Sequence, residues 1–262
     1  MGHIPAPPTR RERQREATYD EIVTVSAELL AEGADLSLRA VAARMGMTAP
    51  ALYRYVADYQ ALVDLVAYEL DKRATAEWAK EAERYPEDDP MARLTVACCA
   101  FRRWAIANPR AFSLVFANPV ASHVTDRREA LTVATSGCYL TDLLYQVWEK
   151  TKFPFPALED LDPVVREAVQ DPWIPAETSH IAPEDRGLVW IYIRSWAAVY
   201  GVVALEATMH CDPRVIRSGA LFKATLVDWL PPLGIDGRQE RERLIAILDE
   251  ELARDRDAWP AP

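Results

Sequence analysis

Apolar residues recur along this chain at intervals of three and four rather than at every second position, the spacing that gathers them on one face of a helix. Ile22, Val25, Ser26, Leu29 and Leu30 mark such a face and predict a first helix over 18–32, stopped by Gly33 just past its end. Ser37 is suited to cap a short helix over 38–45, ended by Gly46, where a left-handed turn costs glycine little. Thr48 is placed to cap a third, very short helix over 49–56, and Pro50 is harmless in a first turn whose N–H groups have no helical partner. Asp58 then opens a long fourth helix over 59–84 that ends at the PEDDP loop of 86–90.

Further helices are predicted over 91–107, 110–116 and 121–151, separated by Asn108-Pro109 and Asn118-Pro119, because a residue before proline is driven out of the helical region. The stretch 152–183 contains six prolines, reads as helical only over 163–170, and is expected to be an insertion or lid. Helices over 184–210 and 213–230 meet at Asp212-Pro213, a cap followed by proline at the first helical position. A charged last helix over 237–256 is expected on the surface. With nine glycines, many Ala, Leu, Glu and Arg, and no internal repeat, the chain reads as all-α.

Composition narrows the class. Half of the 262 residues are hydrophobic and 27% are charged, which allows a sizeable core in an ordinary globular protein. Residues 188–205 are apolar apart from Arg194 and Ser195. A central arginine costs a membrane span ~2.5–3.5 kcal/mol, so this helix reads as one covered by its own domain on one side and by a partner on the other. Cys98, Cys99, Cys138 and Cys211 have no metal or redox spacing and read as small buried hydrophobes. No apolar run follows the N-terminal arginines, so no secretory signal is expected and the expected compartment is cytoplasmic.

The net charge of −10 argues against nucleic acid until its distribution is read. Residues 1–60 hold seven arginines against eight acidic residues. Yet Arg39, Arg44 and Arg54 stand in 37–57 with no acidic residue, and Arg10, Arg11, Arg13 and Arg15 with only Glu12. Phosphate contact requires a local positive footprint of this kind, not a basic chain.

Two short helices joined by a tight glycine-containing turn, after a longer helix, make a helix-turn-helix whose second short helix enters the major groove. The segment LSLRAVAARMGMTAPALYRYV at 36–56 resembles the helix-turn-helix of the TetR family. Ser37, Val41, Ala42, Gly46, Thr48, Leu52 and Tyr53 fall at the family's offsets, whereas Tyr59 stands where the family often has lysine. Trp196-Ala-Ala-Val-Tyr200-Gly201 is similar to the Trp-His-Gly signature of one C-terminal subgroup, with Tyr200 in the histidine position.

The resemblance implies a bacterial, dimeric transcriptional regulator, most simply a repressor released from double-stranded DNA by a small-molecule effector, with no cofactor. It implies that Thr48, Tyr53 and Tyr55 touch phosphates, that Arg39 adds charge, and that Ala49, Pro50, Ala51 and Arg54 face base edges. The expected layout is a flexible basic arm at 1–17, the DNA-binding domain at 18–64, a ligand-binding and dimerisation domain at 65–256, and a tail at 257–262. A fourth helix of this length would be the lever between the two domains.

In the second half, Ala197, Gly201, Ala204 and Thr208 form a small-residue ridge, and Gly219 and Ala220 follow on the next helix. This ridge serves either a dimer interface, as the resemblance implies, or packing within the chain. The aromatic load is either core or the wall of a ligand site, for which Trp104, Tyr139, Trp148, Arg194 and Tyr200 are the candidates. Arg194, a guanidinium amid apolar residues, calls for a partner, either Asp142 or Glu149 or an anionic ligand.

Enzyme chemistry finds no carrier in the sequence. His3, His123, His180 and His210 have no metal-ligand spacing, and neither a GxSxG elbow nor a glycine-rich phosphate loop occurs. The alternative to a DNA-binding regulator is a helical ligand-binding or adaptor protein without DNA function.

Overall fold

The computed structural model describes residues 9–117, 135–174 and 176–258, and every regular element among them is helical. Helix α1 (Arg10–Ala31) is followed by α2 (Leu38–Arg44), α3 (Ala49–Leu52), α4 (Tyr59–Ala82), α5 (Pro90–Ala107) and α6 (Pro109–Phe116). Next come α7 (Thr135–Thr151), α8 (Pro163–Ala168), α9 (Gly187–Ala207), α10 (Pro213–Ser218), α11 (Ala220–Trp229) and α12 (Arg238–Ala258). The helix expected over 121–151 is described from Thr135 onward. Its earlier part and the Asn118-Pro119 break lie outside the described residues.

The stop and start signals of the first four helices act largely as read. Gly33 at φ +80° and Gly46 at φ +67° take the left-handed conformation after α1 and α2. In both, the glycine N–H and the N–H after it return to carbonyls of the last turn, Leu30 and Leu29 for α1, Ala43 and Ala42 for α2. The Ser37 and Asp58 side chains accept from the N–H groups of Ala40 and Ala61 at 3.2 and 2.8 Å.

Two expectations at the N-terminus change. Helix α1 begins at Arg10, because Thr9 and Glu12 close a reciprocal capping box, so the arginines expected on a flexible arm ride on helical turns. The third helix is also shorter than expected, four residues followed by tight turns to Val56.

Ile22, Leu29, Val41, Leu52, Leu62 and Val66 are the centre of a small core that holds α1 to α4 together as an N-terminal head. The larger body is built around α5, which packs against α4, α6, α7, α9 and α12. Such a helix must be apolar on nearly all sides, and twelve of its eighteen residues are buried. The proline-rich stretch is not a detached flap. Phe153, Leu161, Val169 and Ile181 anchor it in the body core. Its carbonyl at Pro156 would lie 2.0 Å from any Cβ at position 187, so the close approach to α9 requires Gly187.

Helix α6 joins the two units. Its Ala111, Leu114 and Val115 pack into the head core, while Phe112 and Phe116 enter the body core. The link is therefore double, since α4 also runs from one core into the other; α4 is not the only connection.

Two further elements differ from expectation. The helix over 213–230 is interrupted at Gly219, which adopts φ +66°, giving separate α10 and α11. The charged last helix does not merely lie on the surface, because Leu244, Ile247, Leu248 and Leu252 are buried beneath it.

Candidate functional site

The head presents α3 outward. Thr48, Pro50, Tyr53 and Arg54 are exposed, Ala49 and Ala51 are partly so, and Leu52 turns inward as the fully buried anchor. The Thr48 hydroxyl makes no cap hydrogen bond, contrary to its expected role, so it faces outward unspent. Tyr55 is half-buried, meeting Tyr19 edge-on at 5.6 Å, with the Tyr19 hydroxyl donating to the Tyr55 carbonyl at 3.2 Å. Arg39 is exposed and, like Arg54, makes no hydrogen bond or ion pair among the described residues. Arg44 differs, because its guanidinium donates to both carboxylate oxygens of Glu32 at 2.9 and 2.6 Å and its charge is answered within the head. What remains on this face is a short helix flanked by two unpaired cations and free hydroxyls, with no acidic residue in 37–57, which can accept phosphates and base edges.

In the body, a cavity of about 320 Å³ lies between α5, α7, α9, α11 and α12. Leu94, Leu140, Trp196, Leu226 and Leu248 each contribute from a different one of these helices. Trp173 and Ile174 of the proline-rich stretch close one side, with Trp173 48% exposed, which makes the stretch a wall of the cavity.

None of the five residues expected to hold a ligand lines this cavity. Trp104 sits edge-on to Trp78 and Phe116 in the aromatic packing. Tyr139 and Trp148 are partly buried at the edge of the body core. Tyr200 lies one layer back, stacked on Trp196 at 5.5 Å and on Phe112 at 6.0 Å. Arg194 is not buried. It is exposed over the Trp229 ring at 5.5 Å, while Asp142 and Glu149 take Gln146 and Lys152 instead. A helical turn rotates each residue by about 100°, so a one-position error in choosing the inward face moves a side chain to the next wall. Of the residues that do line it, Tyr192 and Ser195 are not among the expected ligand contacts, and Trp196 stands out in the sequence only for the subgroup signature and the aromatic load.

The buried cation of the body is Arg102, 1% exposed. It donates to Glu206 at 2.6 Å, Asp255 at 2.8 Å and the Ile216 carbonyl at 2.6 Å. Arg103 beside it binds Asp255, Glu81 and Glu251. Burial holds the Glu206 carboxyl above the usual carboxylate range despite the Arg102 charge beside it. Five helices meet at this network, which makes it a bolt rather than a site.

On α9, Ala197 and Thr208 are exposed, Gly201 and Ala204 are partly so, and nothing approaches within 4 Å of a Cβ placed on Gly201. Leu205 of the same helix, Met209 just past its end and Leu221 of α11 are exposed, as is Ala220. Only 33% of the most apolar stretch of α9 is buried within the chain. Gly219 departs from this face, because it is buried with a would-be Cβ 2.6 Å from Leu252. It serves internal packing.

A family model described as "Tetracyclin repressor-like, C-terminal domain" matches residues 94–229. The chain is 27% identical over 224 residues to the HTH-type transcriptional regulators Mb1846 of Mycobacterium bovis and Rv1816 of Mycobacterium tuberculosis, covering 79% of this chain and 90% of each relative. It also superposes on the crystal structure of a protein described as regulatory, SCO4313, with a TM-score of 0.53 and 25% identity, over 86% of this chain and all of that one.

Proposed function

The chain belongs to the TetR family of transcriptional regulators, and from that premise we propose that it is a repressor which a small molecule releases from a near-palindromic operator. It is a DNA-binding regulator that dimerises, not an enzyme. Each head would lay α3 in the major groove, with Thr48, Tyr53 and Tyr55 on phosphates, Arg39 adding charge, and Ala49, Pro50, Ala51 and Arg54 at base edges. The exposed ridge of Ala197, Gly201, Ala204, Thr208 and Ala220 would meet its two-fold copy, since one four-residue reader spans too few base pairs for specificity. The reading places the protein in the cytoplasm, with its DNA, and uses no cofactor. The head would comprise 18–64 and the body 65–256.

The observation that carries release is the position of Trp196. One side of it lines the cavity, and its ring lies 6.0 Å from Phe116 and 5.5 Å from Tyr200, whose hydroxyl donates to the Phe116 carbonyl at 3.4 Å. Phe116 belongs to α6, whose opposite face is part of the head core. A ligand pressing on Trp196 would tilt α6 and α4 together and change the separation of the two readers, which must match one turn of DNA, ~34 Å. It can shift that equilibrium only by its differential affinity for the two arrangements, typically ~1–3 kcal/mol.

Selection of bound sequences from a random duplex pool, followed by titration of the recovered site, tests the reading. The expected result is a two-fold symmetric consensus bound by a dimer. Tight binding by a monomer, or no enriched sequence, would sink it.

A further inference from the structure

The chemistry of the cavity wall narrows the effector. Among the described residues no Asp, Glu, Lys or Arg lines it. An ion entering such a space would lose its hydration and find no countercharge, at a cost of several kcal/mol. Cys98 contributes no thiolate, because burial pushes its thiol up to about 12.

Four hydroxyls interrupt the apolar wall, and they are not equivalent. Thr95 and Thr141 donate to the carbonyls of Met91 and Gly137, at 2.8 and 2.7 Å, so their protons are spent within their own helices. The Tyr192 hydroxyl and the Ser195 hydroxyl are buried and have no hydrogen-bond partner. Tyr192 is only 2% exposed, and Ser195 stands one turn on along the same helix, α9. Buried donors without an acceptor are costly and rare, so an oxygen acceptor that reached this pair would meet a demand the structure leaves open. Since ~150 Å³ holds a benzene ring, a space of about 320 Å³ suits roughly two rings.

We propose that this cavity selects an uncharged, largely apolar molecule of about two rings carrying a carbonyl or similar oxygen acceptor, which the Tyr192 and Ser195 hydroxyls read. The inference rests on the reading that a small molecule occupies this cavity to release DNA, and it names that molecule's class.

Four probes sharing one ring system separate the terms: acetylnaphthalene, ethylnaphthalene, naphthoate and naphthylmethylammonium. Their binding to the full-length dimer is followed by calorimetry, and release of the selected operator is followed separately by fluorescence anisotropy. The ketone should bind about three- to tenfold more tightly than the hydrocarbon, and both ions about a hundredfold more weakly than the ketone. In Tyr192→Phe/Ser195→Ala the ketone should fall to the affinity of the hydrocarbon, while the hydrocarbon itself is unchanged. Leu226→Trp, which fills the cavity, should abolish all binding.

An ion that binds as well as the ketone overturns the inference. So does a ketone preference that survives the double substitution, binding that survives Leu226→Trp, or no binding by any probe up to millimolar concentration. A ketone that binds with the expected preferences yet leaves the operator complex intact upholds the cavity chemistry and breaks the release reading instead.

Discussion

Arg39 and Arg54 stand exposed on the reading head with no internal partner among the described residues, whereas Arg102 in the body is 1% exposed and satisfied by two carboxylates and a carbonyl. The head leaves these two cations open to an external polyanion. The body consumes Arg102 to join helices whose residues lie far apart in sequence, 104 positions from Arg102 to Glu206 and 153 to Asp255. Charge count therefore says little about function in this chain; what decides is whether a cation has been given a partner. Hydroxyls do not divide in this way, since Thr48 is unspent on the head while the body spends those of Thr95 and Thr141 and leaves those of Tyr192 and Ser195 without a partner.

The harshest test of this contrast is Arg102→Ala. It would strand Glu206 and Asp255 in the core and should cost about 3–5 kcal/mol in denaturant unfolding. A loss under about 1 kcal/mol would show that the body's arginine is no more structural than the head's.

Arg54→Ala should do the opposite, leaving the unfolding midpoint in place while weakening operator binding about tenfold to a hundredfold and relaxing preference at one base position. Arg39→Ala should weaken all sequences alike and lower the salt slope by about one unit. Unchanged affinity and preference in Arg54→Ala would mean that α3 is turned differently on the DNA.

Phe116→Ala probes the seam between the two regions. Acetylnaphthalene should still bind within about threefold, since Phe116 does not line the cavity, but the release it causes should shrink by most of the ~1–3 kcal/mol of coupling. Full release in this variant would move the coupling to α4 alone.

Glu206→Gln sharpens the account of the bolt. At neutral pH it should change stability by no more than about 1 kcal/mol, because burial opposes the ionised carboxyl while Arg102 keeps Asp255 and the Ile216 carbonyl. The folded carboxyl lies above its ordinary value of 4.5, so the folded wild type takes up a proton before the unfolded chain does. Wild-type stability should therefore gain on the variant as pH falls from neutral toward 4.5, and a change of opposite sign would contradict the raised value. The smallest effect is expected from Tyr200→Phe. It removes only a long hydrogen bond of 3.4 Å and should cost about 0.5 kcal/mol, with operator binding intact.

The helix-turn-helix was legible because its signals are local. Ser37, Gly46 and Asp58 act on the backbone within four residues of themselves, and the apolar spacing of Ile22, Val25 and Leu29 fixes which face turns inward whatever else the chain does. The exposed residues of α3 follow from the same spacing.

The body resisted for the converse reason. Its helices are apolar on most sides, and periodicity cannot say which wall of such a helix meets a cavity, which meets a neighbour and which a second copy. Arg194 and Arg102 both stand in apolar helical runs, yet one lies over Trp229 on the outside and the other is locked at the centre, because the partners of Arg102 come from α9, α10 and α12. Gly219, which reads as one more small residue on a packing ridge, is a left-handed break pressed against Leu252.

By itself the sequence determined an all-α chain, the four helices of the head and the residues α3 turns outward, since caps, glycine stops and helical period act over a few residues. Tertiary structure alone decided which arginine is a bolt, that Trp196 rather than Tyr200 faces the cavity, and that α6 belongs to both cores. Those outcomes depend on groups brought together from tens to more than a hundred positions away, and no local propensity encodes them.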